Sequence, residues 1–116
     1  MKTEIVITGN FQREAKKYLK KYRSLKSELE NLYNQLLENP QLGTPISNNS
    51  FKIRISVKSK NKGKSAGMRI ITHLEIDLVL NEVSNHLYLL SIYDKSDIDS
   101  ISDKEITRIL KELKRN

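Results

Sequence analysis

The chain contains no cysteine, so a disulfide framework and thiol chemistry are excluded, and a reducing compartment suits it. It has no tryptophan, five tyrosines and two phenylalanines. A core built from so few aromatics must rest on Leu, Ile and Val. No apolar run approaches the roughly 18 residues that a membrane-spanning helix needs. The first ten residues, MKTEIVITGN, hold too short an apolar stretch for a secretory leader. A cytoplasmic protein without a membrane partner is therefore expected. Internal repeats are absent, and 116 residues suit one domain spanning 1–116. A chain of that size buries roughly two thirds of the surface its unfolded form exposes. The most informative gap is local, because residues 51–69, FKIRISVKSKNKGKSAGMR, contain no aspartate or glutamate.

That same stretch holds Lys52, Arg54, Lys58, Lys60, Lys62, Lys64 and Arg69. Outside it, fourteen basic residues balance fourteen acidic ones, so the formal charge of +7 resides in one segment. Localised positive charge faces a polyanion more often than diffuse charge does. A lysine-rich loop can equally be a solvated surface. The neighbouring strands decide between these two readings.

Residues 4–8 (EIVIT) are β-branched and short, a strand pattern. Gly9 and Asn10 break it, with Asn10 placed to cap a helix whose Phe11, Ala15, Tyr18, Leu19 and Tyr22 recur at helical spacing. A second helix carries Leu25, Leu29, Leu32 and Leu36 on one stripe, with Tyr33 and Leu37 beside it. Asn39, Pro40, Gly43 and Pro45 end the helical region, and a loop is expected up to Ser50.

From Phe51 the period becomes two: Phe51, Ile53, Ile55 and Val57 share one face and Lys52, Arg54, Ser56 and Lys58 the other. A strand follows the lysine loop from Met68 and could extend to Leu80, residues 81–85 (NEVSN) supply turn residues, and 86–93 (HLYLLSIY) read as a central strand covered on both faces. His86 thus falls at an expected turn. Ser102 and Glu105 form an S-x-x-E capping box ahead of Ile106, Ile109, Leu110 and Leu113. The expected class is α+β in the order β-α-α-β-β-β-α. A small antiparallel sheet should carry the N-terminal helical pair on one face, leaving Lys52, Arg54 and Arg69 on the other.

In this order of elements, in the strand FKIRI, in MRIIT behind a glycine-flanked loop and in the SIYDK ending of the last strand, the chain resembles the RelE/ParE superfamily of bacterial toxins. These are the toxic partners of type II toxin-antitoxin pairs, and the RelE/HigB-like branch fits best. The resemblance implies a RelE-like fold and a cognate antitoxin that covers the toxin. For the RelE branch it also implies cleavage of mRNA in the ribosomal A site without a metal or cofactor.

Metal-free RNA cleavage needs in-line attack of a 2′-hydroxyl on the adjacent phosphorus. Something must accept the 2′-OH proton, neutralise charge on the phosphoryl oxygens and protonate the leaving oxygen. The resemblance assigns these roles to basic side chains. Lys52 becomes the candidate base or ribose ligand if neighbouring cations lower its pKa. Arg54 acts near the leaving oxygen, where a guanidinium suits electrostatic work better than proton transfer. Arg69 clamps the scissile phosphate through a planar fork, and Lys95 matches a further basic position. Ile101 stands where some relatives carry a tyrosine. Tyr93 is the candidate substitute, although a packed strand tyrosine is as good a reading. Lys58, Lys60, Lys62 and Lys64 are candidate contacts to the phosphates of mRNA or ribosomal RNA.

Other residues suggest less. His73 reads as a strand histidine paired with Glu75, and Asp77, Glu82 and His86 lack metal-ligand spacing. Gly63, Lys64 and Ser65 resemble the end of a P-loop, but Lys58 stands where its first glycine belongs and no helix follows. Asp94, Asp97, Asp99 and Asp103 lack the glycine and bidentate glutamate of a calcium loop and read as a solvated turn. The leading reading is a ribosome-dependent mRNA endonuclease that inhibits translation. The alternatives are a ParE-like inhibitor of DNA gyrase with no nuclease activity and a degenerate domain that binds only RNA or an antitoxin. Fold alone does not separate them.

Overall fold

The structure, a computed structural model, describes residues 2–47, 49–60, 67–98 and 100–114. Its elements run β1 (Lys2–Ile7), α1 (Gly9–Lys21), α2 (Leu25–Glu38), β2 (Thr44–Ser47), β3 (Ser50–Ser56), β4 (Gly67–Val79), β5 (Glu82–Asp94) and α3 (Asp103–Lys114). The α+β class is as expected. The five strands lie in the order β1-β5-β4-β3-β2. Strands β3, β4 and β5 pair antiparallel, as short connections between consecutive strands require. β1 pairs parallel with the far side of β5, so the sheet is mixed rather than wholly antiparallel.

Three elements depart from the sequence reading. β2 was expected as loop; it forms because Gly43, at φ 106, turns the chain close against β3, where a Cβ would meet the Lys52 carbonyl oxygen at 2.6 Å. The turn between β4 and β5 sits at Leu80 and Asn81, which places residues 82–85 and His86 within β5. The helix cap is Thr8, not Asn10: the Thr8 hydroxyl accepts the Phe11 N–H at 3.1 Å and donates to the Leu89 carbonyl at 2.7 Å.

Asn10 has another task, set by a bulge. Ile71 lies opposite Ser91 but Thr72 opposite Leu89, so Leu90 is an extra residue in β5. β1 pairs no farther than Leu89. Beyond it, Asn10 Nδ2 donates to the Leu90 carbonyl at 2.8 Å and the Ile92 N–H donates to Glu14 Oε1 at 3.2 Å. Side chains of α1 thus satisfy backbone groups that a strand would otherwise pair.

The bulge also divides the apolar residues of β5 between two cores. Leu87, Leu89 and Ile92 join Ile53, Val57, Met68, Ile70 and Leu74 beneath Phe11, Ala15, Tyr18, Leu25, Leu29, Leu32 and Leu36 of the helical pair. Leu90 and Tyr93 join Ile71 beneath Ile106 and Ile109 of α3 on the opposite face. Leu19 and Leu37, at 41% and 49% exposed, contribute little to the buried stripes of α1 and α2. Half of the capping box forms, since the Glu105 N–H donates to the Ser102 hydroxyl at 3.1 Å while the Glu105 carboxylate pairs with Arg108 instead. Among the described residues, no helix is long and apolar enough to cross a membrane.

Candidate functional site

Cross-strand register gathers the basic strand residues. Arg54 of β3 lies directly opposite Arg69 of β4, and Arg69 directly opposite Tyr93 of β5. Directly opposed residues of an antiparallel pair share a face, with Cβ atoms about 5 Å apart. Lys52, two residues before Arg54, is opposite Ile71, which packs with Tyr93 under α3. All four therefore lie on the face away from the helical pair, where α3 packs over Ile71, Leu90 and Tyr93.

Among the described residues, none of Lys52, Arg54, Arg69 or Lys95 forms an ion pair. Arg54 and Lys95 are exposed, and Lys52 and Arg69 half-buried. Arg69 makes a long hydrogen bond to the Met68 carbonyl, at 3.5 Å. Gly67 lets β4 begin tightly against β3, since a Cβ there would meet the Ile55 carbonyl oxygen at 2.9 Å. Arg54 also borders a shallow cleft with Glu28, Asn31 and Gln35 of α2.

Tyr93 is placed in the row but not on the surface. It is 2% exposed, and its hydroxyl accepts the Ile101 N–H at 3.4 Å. It is opposite Arg69 in register and packs in the cluster with Ile71, Ile106 and Ile109. Of the loop lysines, Lys58 is exposed and its backbone N–H donates to Glu28 at 2.8 Å. Lys62, Lys64, Gly63 and Ser65 lie outside the described residues, as does Asp99. Lys60 differs from the expectation of a solvent-facing phosphate contact. Its side chain is 9% exposed and its ammonium donates to Asp94 Oδ1 at 2.7 Å and to the Gly67 carbonyl at 3.2 Å.

Asp94 was read as part of a solvated turn and is instead the buried hub beside the site. Its carboxylate accepts Lys60, the Tyr22 hydroxyl at 2.8 Å, and the Ser96 N–H and hydroxyl at 3.0 and 2.8 Å. Its N–H donates to the Tyr18 hydroxyl at 3.3 Å. Burial alone raises the Asp94 pKa, but the hydrogen bonds from Lys60, Ser96 and Tyr22 outweigh it and hold the carboxyl well below the usual range. The hub fixes both ends of the lysine loop, at Lys60 and Gly67, and the end of β5 from which Lys95 projects. The signal in the sequence was slight: one aspartate closing an almost wholly apolar strand.

His73 sits as expected, 3.7 Å from Glu75, with Ser50 at 3.2 Å on its other nitrogen. Among the described residues, no group of three or more His, Asp or Glu could hold a metal ion.

No protein-family profile matches the chain. Among solved structures it is similar to an arginine double mutant of the E. coli toxin RelE in the free state. The TM-score is 0.49 and the identity 15%, over 85% of this chain and 90% of that one. A likeness of that degree concerns the arrangement of elements and not chemistry.

Proposed function

We propose that the protein is the toxin of a type II toxin-antitoxin pair and cleaves mRNA on the ribosome without a metal. The observation that carries this reading is the direct opposition of Arg54 and Arg69, with Lys52 beside them and no carboxylate paired to any of the three among the described residues. Like charges placed directly opposite each other in a sheet are destabilising by a few tenths of a kcal/mol or more. A phosphate between the two guanidiniums removes the repulsion and is held by forked donors.

In this reading the RNA backbone crosses the strands along the row. Arg69 neutralises the charge that grows on the phosphoryl oxygens as the 2′-oxygen attacks. Lys52, farther along β3, faces the ribose; its neutral amine accepts the 2′-OH proton, and its ammonium form only holds the 2′-oxygen in place. Arg54 stabilises the departing 5′-oxygen, which takes its proton from water as the 2′,3′-cyclic phosphate forms, and Lys95 meets the next phosphate. Tyr93 acts by positioning Arg69 rather than by touching RNA. Lys58, Lys62 and Lys64 add sequence-independent contacts to mRNA or ribosomal RNA. The antitoxin covers this face with acidic side chains.

The test is induction of the chain in cells beside Arg69→Ala and Lys52→Ala variants, scoring growth and transcript cleavage within codons. Wild type should arrest growth and cut mRNA, and both variants should do neither. Arrest with intact mRNA and gyrase trapped on DNA overturns the nuclease reading in favour of a gyrase inhibitor.

A further inference from the structure

The far end of the sheet has the opposite character. Residues 70–94 contain no Lys or Arg, in a chain that has 21 of them. Here β4 and β5 run on beyond β3. Strand β3 reaches only His73, and the Leu74 N–H donates to the Asn49 carbonyl at 2.9 Å. Among the described residues, nothing pairs with β4 beyond that point on its β3 side. Because the Leu74 N–H points to that side, the strand period of two turns the N–H and C=O of Ile76 and Leu78 toward the same open edge.

The side chains at this edge are apolar and exposed: Ile76 is 58% exposed, Leu78 70% and, opposite Leu78 on β5, Val83 40%. They continue the face that Leu74 presents to the helical pair, past the point where the helices end. The other face is acidic, carrying Glu75 and Asp77, with His86 bridging Asp77 and Glu4 at 3.1 Å each. Burial, and then these carboxylates, raise the pKa of the nearby Tyr88 phenol.

The turn adds a second, independent observation. Leu80 and Asn81 have φ of 51° and 64°, the two left-handed positions of a two-residue hairpin turn. Asn and Gly suit such positions and a leucine does not. Leu80 is 92% exposed, so no packing within the chain offsets the strain. A strained, exposed leucine beside three other exposed apolar residues marks a contact made outside the chain.

We propose that the open β4 edge, residues 75–79, docks an extended segment of another protein that alternates apolar and basic side chains. The segment adds as a strand through the backbone of Ile76 and Leu78. Its apolar side chains lie over Ile76, Leu78 and Val83, and its basic ones meet Glu75 and Asp77 on the other face. The carboxylates disfavour nucleic acid and anionic lipid. They also disfavour a second copy of this chain, because a two-fold axis through the edge keeps the faces and sets Glu75 and Asp77 against their own counterparts. The surface is separate from the basic row, and the proposal stands whether or not the chain is a nuclease.

The experiment titrates the full chain with an eight-residue fluorescent peptide of alternating Lys and Val, with an alternating Glu and Val peptide as counterpart, and follows amide exchange. The Lys-Val peptide should bind and slow exchange at Ile76 and Leu78. The double variant Glu75→Lys, Asp77→Lys should weaken it at least ~10-fold, about 1.4 kcal/mol, and favour the Glu-Val peptide. Absence of Lys-Val binding, equal binding of both peptides, or indifference to the charge reversal overturns the proposal. So does a self-associated form that Leu78→Asp dissociates, or binding to phosphatidylglycerol vesicles that Leu78→Asp abolishes.

Discussion

The two ends of the sheet break different rules of stable β-structure. At one end, Arg54 faces Arg69 across a strand pair. At the other, Ile76, Leu78 and Val83 lie exposed beside a leucine held in a left-handed turn. Between them the buried Thr72 hydroxyl lacks a partner, but the other demanding groups are met. The bulge at Leu90 is satisfied by Asn10 and Glu14, the helix start by Thr8, and the buried Asp94 by Lys60, Tyr22 and Ser96. Local rules that fail in a native structure are where functional surfaces are sought. The two proposals follow the character of each failure: unpaired cations suit a polyanion, and an apolar edge beside carboxylates suits a basic strand.

The sharpest way to break this division is to alter each end and read both functions. Arg69→Ala should lower mRNA cleavage by roughly 10²–10³-fold, the typical effect of removing a donor aimed at developing charge. The same variant should leave Lys-Val peptide binding unchanged. The charge reversal at Glu75 and Asp77 should do the opposite. If either variant moves both readouts together, the ends are not independent surfaces.

Removing the hub should be the next largest effect and should weaken the basic end through its support. Asp94→Ala takes one acceptor from Lys60, Tyr22 and Ser96, and loss of one partner from a buried pair costs about 3 kcal/mol. Urea unfolding monitors this directly. The pH dependence has a definite sign. The folded Asp94 carboxyl titrates well below its unfolded value, near 3.9, so its stabilisation is fully present above that value. It is lost as pH falls below about 4 toward the folded value, and an Asp94→Asn variant should show a flatter acid limb.

The sequence disclosed much of the fold and which basic strand residues share a face. Alternation in residues 51–57 put Lys52 and Arg54 on one face and Ile53 and Ile55 on the other, because a period of two is a local property. The stripe Leu25, Leu29, Leu32 and Leu36 was legible for the same reason. What stayed hidden depends on long-range contacts. No local pattern tells that Lys60 turns inward to Asp94, 34 residues away, or that Asn10 serves a bulge 80 residues on. The bulge itself hides in the run LYLLSIY, where an extra residue leaves no compositional trace. The position of the β4–β5 turn was missed because Leu80 is the wrong residue for it. That misfit is what makes the tip informative.

Leu80 provides a smaller test of the acidic end. Leu80→Asn places a residue suited to the left-handed region at φ 51° and removes no contact within the chain. It should raise stability by about 1 kcal/mol, seen as a shift in the urea midpoint with an unchanged slope. Lys-Val peptide binding should weaken at the same time. A stabilised variant that binds the peptide as before would mean that Leu80 is not kept for docking.

The smallest effect is expected from Arg54→Thr, and it bears on the basic end in the same way. Threonine is favoured in strands, and the change removes the repulsion across the pair with Arg69. Stability should therefore rise by about 0.5 kcal/mol, while mRNA cleavage should fall because one side of the proposed phosphate site is lost. The gain should shrink when salt is added, since an exposed like-charge pair is screened within a Debye length of about 8 Å at physiological ionic strength. A loss of stability would show instead that Arg54 contributes more to packing along α2 than its charge costs, and the opposed arginines would no longer distinguish a phosphate site from an ordinary strand surface.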